Sequence, residues 1–349
     1  MQLTRLAQGR FPMRIALVTV GVGVAAAAIG VAAPSPGAAR EPRPLHGAQL
    51  RGSTGLRLVV ADKPPIVLDI DAAHATPLRR VPRLRRGVLW VVGAGGHSAV
   101  VVSRSRSRHA DLYAVSGREG RVVVLGDGED VVPAVDGRSV WIKVFARSGC
   151  TLRQRSLEGM DVRAPRAFPC ESTIASAGSH GIVVNRTRVI DPRTGQTLLR
   201  ARWGVLAATG RTLVLAGPGK TFTIVGGGRR VIRRVRWPST LAGLDVPVAD
   251  PRGRFVALAF ADPALQALDV WILDTKTMRL TQLPAMPTLV PLKRTSMAWT
   301  RDGRLVLLSQ KGGKFVLALW RPGEDRLTVK TLPLRDQRDG SSDSFALLR

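Results

Sequence analysis

Short apolar runs alternate along the chain with turns of small and polar residues, and the alternation repeats. Residues 251–284 carry its clearest copy. Pro251-Arg252-Gly253 leads into an apolar run over 255–260, a loop, a second run over 270–273, the turn Asp274-Thr275-Lys276-Thr277 and a third strand near Leu280. The same order returns over 301–334, with Asp302-Gly303, runs at 305–308 and 315–320, the turn Arg321-Pro322-Gly323 and a strand near Val329. Such runs bounded by Gly, Pro and Asp read as strands. The near-continuously apolar ones, 122–125 and 255–260, predict sheets covered on both faces. After the N-terminus no long stretch has helical periodicity.

Six glycines are expected to open the first strand of a unit: Gly87, Gly137, Gly181, Gly210, Gly253 and Gly303. Their spacing straddles a repeat of roughly 40–50 residues, the period of propeller blades. A partial unit at 56–60, 66–70 and 76–81 precedes them, which makes seven, each with three strands. The first unit lacks an innermost strand. Residues 344–348, after the polar stretch 336–343, are expected to supply it, because closing the ring removes open sheet edges.

Asp136-Gly137-Arg138, Asp302-Gly303-Arg304 and, more loosely, Pro251-Arg252-Gly253-Arg254 place a tight turn before an inner strand. Asp191-Pro192-Arg193-Thr194-Gly195 makes a second kind of turn. On these residues the chain resembles the β-propeller superfamily, in particular its WD-like and TolB-type repeats, over about 56–349. It departs from WD repeats in having no Gly-His pair that opens the units in register and no Trp-Asp dipeptide that closes them. The resemblance implies an all-β, seven-bladed propeller over 55–349 and leaves function free.

The N-terminus supplies an address. Arg5, Arg10 and Arg14 precede an uncharged run over 15–33 that ends in Pro34-Ser35-Pro36-Gly37-Ala38-Ala39. A basic start, an apolar middle and a small-residue end form the pattern of an export signal. The run is also about long enough to cross a bilayer. Residues 1–39 are therefore expected to be a signal peptide cut after Ala39 or an uncleaved transmembrane anchor, with 40–54 as a linker. The preceding arginines keep the N-terminus inside and send the rest across. An extracytoplasmic protein, membrane-anchored or secreted, is the expectation. No cysteine stands near the run to carry a lipid.

Hydrophobic residues make up 45% of the chain, enough for a sizeable core, and Gly 36 and Pro 23 suit many turns. Lysine and arginine total 53 against 25 acids, a formal net charge of +28. Such a field attracts polyanions, and an arginine-rich composition of the kind GC-rich genomes encode would produce it too. Charge sets field strength, not specificity. Cys150 and Cys170 are the only cysteines, and an oxidising compartment would let them join. The bond would stabilise by roughly 3 kcal/mol. Neither has the companions that a zinc site or a redox motif requires.

Candidate chemistry is sparse. Gly217-Pro218-Gly219-Lys220-Thr221 resembles the end of a phosphate loop, but Val214 stands where that motif needs glycine and a strand follows, so a hairpin turn is expected. Gly126-Asp127-Gly128-Glu129-Asp130 is an acidic loop without calcium-loop spacing. The histidines, His46, His74, His97, His109 and His180, are scattered. Asp69, Asp250 and Asp269 are the carboxylates a channel enzyme would use, yet acids at blade turns generally cap backbone groups. The tryptophans read as core. Basic clusters are more suggestive: 79–86, then Arg104, Arg106 and Arg108 alternating with serines, then Arg229, Arg230, Arg233, Arg234 and Arg236. An extended 103–108 would put three guanidinium groups on one side, suited to phosphate or carboxylate.

Together these features predict a non-catalytic binding or scaffold module at the bacterial cell surface, a monomer without cofactor or metal. Its partner would be a protein or an anionic cell-envelope polymer, with no nucleic acid, since aromatic platforms for single strands are missing. The alternatives are a propeller hydrolase or lyase with a central-channel site, and an electrostatic tether to anionic wall polymer or lipid.

Overall fold

A computed structural model describes residues 47–62, 64–78, 88–94, 98–104, 110–117, 120–146, 148–226, 231–237, 243–244, 247–262, 267–284, 297–311, 314–335 and 344–348. The chain divides into Met1–Arg40 and Glu41–Arg349. The expected signal or anchor segment therefore lies outside the described residues. Among the described residues no helix is long and apolar enough to cross a membrane.

Seven sheets follow one another along the chain, and each is one blade. Blade 1 holds Arg57–Val60, Ile66–Asp69 and His74–Pro77. Blade 2 runs Val88–Gly93, Ser98–Arg104, Ala110–Ser116 and Arg121–Gly128, and blade 3 runs Asp130–Pro133, Ser139–Ala146, Gly149–Ser156 and Arg166–Phe168. Blade 4 comprises Ile174–Ser176, Ile182–Val184, Arg188–Ile190 and Thr197–Arg200, and blade 5 Val205–Thr209, Thr212–Gly217, Thr221–Val225 and Val231–Arg236. In blade 6, Gly243–Leu244 and Val248–Ala249 both pair with Phe255–Asp262, which is followed by Ala267–Asp274 and Arg279–Gln282. Blade 7 is Met297–Trp299, Leu305–Lys311, Lys314–Trp320 and Thr328–Arg335. Within the stretch read as a linker, Ala48–Gln49 adds a parallel fifth strand to the outside of blade 7.

The ring closes through the C-terminus, as expected. Phe345–Leu348 pairs antiparallel with Arg57–Val60 and becomes the first strand of blade 1. Neighbouring first strands then touch in succession. Phe345–Leu348 meets Val88–Gly93, which meets Asp130–Pro133, which meets Ile174–Ser176. On the other side Val205–Thr209 meets Val248–Ala249, then Met297–Trp299, which returns to Phe345–Leu348. The 3-10 turn Gly178–His180 bridges the remaining interval by packing on Val205–Thr209.

Two expectations need correction. The repeating glycine stands before the second strand of a blade, not the first, and each blade has four strands rather than three. Gly137, Gly181, Gly210, Gly253 and Gly303 sit in the turn from first to second strand, with φ of 65°, 114°, 53°, 85° and 75°. Those angles lie in the left-handed region that only glycine enters without penalty. In blades 4, 6 and 7 the strand before the turn has only two or three residues, as in Ile174–Ser176, Val248–Ala249 and Met297–Trp299, too brief to display a period. Blade 2, by contrast, opens on the six-residue first strand Val88–Gly93. Gly87 lies outside the described residues.

The core is divided in the same way. Seven apolar clusters each fill one interface between adjacent blades, such as Leu58, Val306, Leu317 and Phe345 between blades 7 and 1. Trp141, Phe168, Ile174 and Ile190 fill the interface of blades 3 and 4. Every blade is thus covered on both faces, which is why its middle strands are almost wholly apolar.

Candidate ligand-binding cleft

Antiparallel strands gather the first-to-second and third-to-fourth turns of every blade at one rim. A cleft of about 380 Å³ opens there between blades 3 and 4, walled by Pro133, Trp141, Ile182, Pro192 and Leu198 and edged by Asp136, Gln154, Arg163, His180, Asp191 and Arg193. Pockets that hold small ligands have this mixture of apolar walls and a few polar groups.

On the blade 3 side, Asp136 organises the polar edge. Its Oδ1 accepts from the amides of Arg138 (2.8 Å) and Ser139 (2.9 Å). Its Oδ2 accepts from the Ser139 hydroxyl (2.6 Å) and the Gln154 Nε2 (3.2 Å). Gln154 also donates to Ser139 Oγ at 2.8 Å. Burial pushes the Asp136 pKa up, but the bonds from Ser139 and Arg138 outweigh it and hold the group below the usual carboxylate range. Because a carboxylate only accepts, the Gln154 amide nitrogen must face Asp136 and its Oε1 must face away. Gln154 is 7% exposed, and that Oε1 is buried without a hydrogen-bond partner.

Blade 4 contributes His180 from the turn Gly178–His180. Burial lowers its pKa, partly offset by a hydrogen bond to the Gly210 backbone. The Nε2 is buried and unpartnered, so the ring meets Gly210 through Nδ1. Ser179 Oγ donates to the same Gly210 carbonyl at 3.1 Å. Gly181 fixes the position of this turn, since a Cβ on it would stand 2.2 Å from the Ile190 carbonyl oxygen. Asp191 accepts from the Arg193 amide at 2.8 Å, and Arg193 Nε approaches it at 3.4 Å. Burial raises the Asp191 pKa, but these bonds outweigh it and hold the group below the usual carboxylate range, so it too stays ionised.

The residues singled out from sequence are placed as follows. Cys150 and Cys170 form the disulfide, with Cα atoms 5.0 Å apart, tying the third strand of blade 3 to the connection that follows its fourth. The acidic loop finds its cation inside the protein. Lys143, 2% exposed on the second strand of blade 3, reaches Glu129 at 2.5 Å and Asp130 at 3.9 Å. Its ammonium also donates to the carbonyls of Cys170 (2.9 Å) and Ser172 (2.6 Å). Gly217 to Thr221 is a hairpin turn in blade 5.

Asp69, Asp250 and Asp269 do not converge. Asp69 pairs with Arg57 at 2.9 Å and caps the turn at Asp71 and Ala72, and Asp250 accepts from the Arg252 amide. Asp269 is not a turn cap; it lies on a strand of blade 6 and accepts from Trp271 and Gln282, each at 2.9 Å. No group of three metal-ligating side chains occurs among the described residues. Arg106, Arg108, Arg229 and Arg230 lie outside the described residues, and Arg104 ends the second strand of blade 2. Arg233 and Arg234 are exposed on the outermost strand of blade 5. As successive strand residues they point to opposite sides. Trp203, read as core, is instead 53% exposed, with the Arg202 guanidinium 5.0 Å from its ring.

No family model and no curated protein matches the chain. Solved structures do. A candidate 6-phosphogluconolactonase from Bacteroides fragilis is 12% identical over 86% of this chain and 100% of its own, with a TM-score of 0.53. A functionally unknown protein from Desulfotomaculum acetoxidans is 11% identical over 85% of this chain and 99% of its own, at 0.52. TolB from Acinetobacter baumannii is 13% identical over 86% and 68%, at 0.49. At such identities the likeness to the first two establishes the fold alone. The chain is a seven-bladed β-propeller.

Proposed function

We propose that the chain is an exported or membrane-anchored propeller that works as a non-catalytic binding or scaffold module at the bacterial cell surface, with the cleft between blades 3 and 4 as its ligand site. The observation that carries this reading is that two residues lining that cleft, Gln154 and His180, each hold a buried side-chain atom without a partner, Oε1 and Nε2. Buried polar atoms normally have partners, and two orphans on residues of one cleft favour an occupant. Asp136 and Asp191 are fixed in their turns and held ionised, so neither is poised to donate a proton near neutral pH. The N-terminal pattern and the paired cysteines support an address outside the cytoplasm.

Amide hydrogen exchange, measured with and without an extract of the host envelope, tests the reading. Protection of residues 133–136, 178–182 and 191–193, with blade 6 unchanged, is the expected result. Identical exchange at the cleft in both conditions removes it.

A further inference from the structure

The two orphaned atoms share a chemical character, and it narrows the ligand. The Gln154 oxygen can only accept a hydrogen bond, because its amide nitrogen is already committed to Asp136 and Ser139. The neutral His180 ring donates through Nδ1 to Gly210, which leaves Nε2 an acceptor as well. The occupant must therefore present at least two donors. An anion cannot satisfy them. A cation meets Arg163 and Arg193 on the same edge and a protein of net charge +28. A neutral, hydroxyl-bearing molecule meets neither objection. Its hydroxyls donate to the orphaned acceptors, its oxygens accept from Arg163, and its C–H faces lie on the walls at Trp141 and Pro192. About 380 Å³ accommodates one or two sugar rings.

We propose that this cleft is a saccharide site, in which Gln154 Oε1 and His180 Nε2 accept hydrogen bonds from the hydroxyl groups of a neutral sugar. The proposal rests on the reading of the cleft as the binding site and adds the class of ligand. Nothing in it requires bond breaking.

The test uses the full chain and a panel of neutral mono- and disaccharides, with inorganic phosphate, spermidine and a mixed peptide pool as controls, followed by titration calorimetry and nuclear magnetic resonance. At least one saccharide is expected to bind, with affinity reduced about tenfold or more by Gln154→Leu and by His180→Gln, the size of one lost buried hydrogen bond. Affinity is also expected to fall in acid, once the pH passes below the depressed pKa of the folded His180 ring, where protonation turns Nε2 into a donor. Should Gln154→Leu fold poorly, His180→Gln and the pH series still decide. Saccharide binding that ignores both substitutions and pH overturns the assignment of these two acceptors. Perturbation of cleft residues by phosphate, spermidine or peptide alone overturns the sugar class and keeps the cleft. Silence of the cleft toward every probe overturns both.

Discussion

Ser344 and Val91 exchange two hydrogen bonds across the seam of the ring. The Val91 amide donates to Ser344 Oγ at 2.9 Å, and the hydroxyl donates back to the Val91 carbonyl at 3.1 Å. Ser344 is 2% exposed, and its own carbonyl accepts from the Ala61 amide at 2.8 Å. One residue thus joins the closing strand to both blade 1 and blade 2. Ser344→Ala leaves the Val91 amide buried and unpaired, a loss of about 1–3 kcal/mol. For a domain of about 300 residues the melting temperature should fall by about 1.5–2 °C per kcal/mol. Deleting residues 344–349 should do more. It removes Phe345, Ala346 and Leu348 from the core and bares the edge of Arg57–Val60, so size-exclusion chromatography should show association. A monomer of unchanged melting temperature would show that the seam lies elsewhere.

The buried ammonium of Lys143 should be a structural keystone of blade 3. Lys143→Met removes the partner of Glu129 and two carbonyl acceptors at once. Breaking a fully buried pair costs about 3–5 kcal/mol. Glu129 is 35% exposed and regains water, so about 2–3 kcal/mol is expected by urea denaturation. A loss below about 0.5 kcal/mol would mean that the contacts are not held in solution.

Reduction of the Cys150–Cys170 bond should couple to that site. The disulfide closes a loop that carries the Cys170 carbonyl, and its loss should destabilise by about 3 kcal/mol. A double-mutant cycle between Cys170→Ser and Lys143→Met is expected to be non-additive, since both act on the same segment. Strict additivity would contradict the shared role.

Acid stability follows from the turn carboxylates. The hydrogen bond from Arg254 lowers the Asp274 pKa to about 2, against burial and with help from the Lys276 and Thr277 amides. At Asp71 burial acts upward, but bonds from Ser53, Thr54 and Gly55 prevail and depress it strongly. Both groups stabilise the fold above the ordinary carboxylate range near pH 4 and lose that contribution as pH falls toward 2. His180 acts earlier. Its folded pKa is depressed, so below about pH 6.5 the unfolded chain takes up a proton that the folded ring resists. Melting temperature should therefore decline shallowly below pH 6.5 and steeply below pH 4. His180→Gln should abolish only the first phase, and the gap between the wild type and Asp71→Asn should close in the second.

Salt dependence tests the basic surface. Retention on an anionic polymer should weaken as salt rises, and replacing Arg233, Arg234 and Arg236 by serine should lower the eluting salt concentration. Unchanged elution would assign the attraction to charge spread over the whole chain.

How far the sequence could be read depended on what each residue's pattern encodes. The closing strand was legible because Phe345, Ala346 and Leu348 form an apolar tail that an open blade 1 needs. The inner strands of blades 4, 6 and 7 were not, because two or three residues such as Val248–Ala249 carry no periodicity. The glycine of each turn was visible, but its strand was misnumbered by one for that reason. In the cleft, Cys150, Leu152 and Gln154 alternate inward along one strand, so a glutamine at a core position was the available signal. Lys143 within the run 139–146 was another. His180 carried no such mark, because its burial comes from blade 5 packing on a turn that only the folded ring brings close.

The most direct measurement is the Gln154 side-chain amide resonance, followed together with the His180 ring signals during a saccharide titration. The account predicts that both move along one saturable curve and that blade 6 stays still. A saccharide that binds while both remain unperturbed would contradict it.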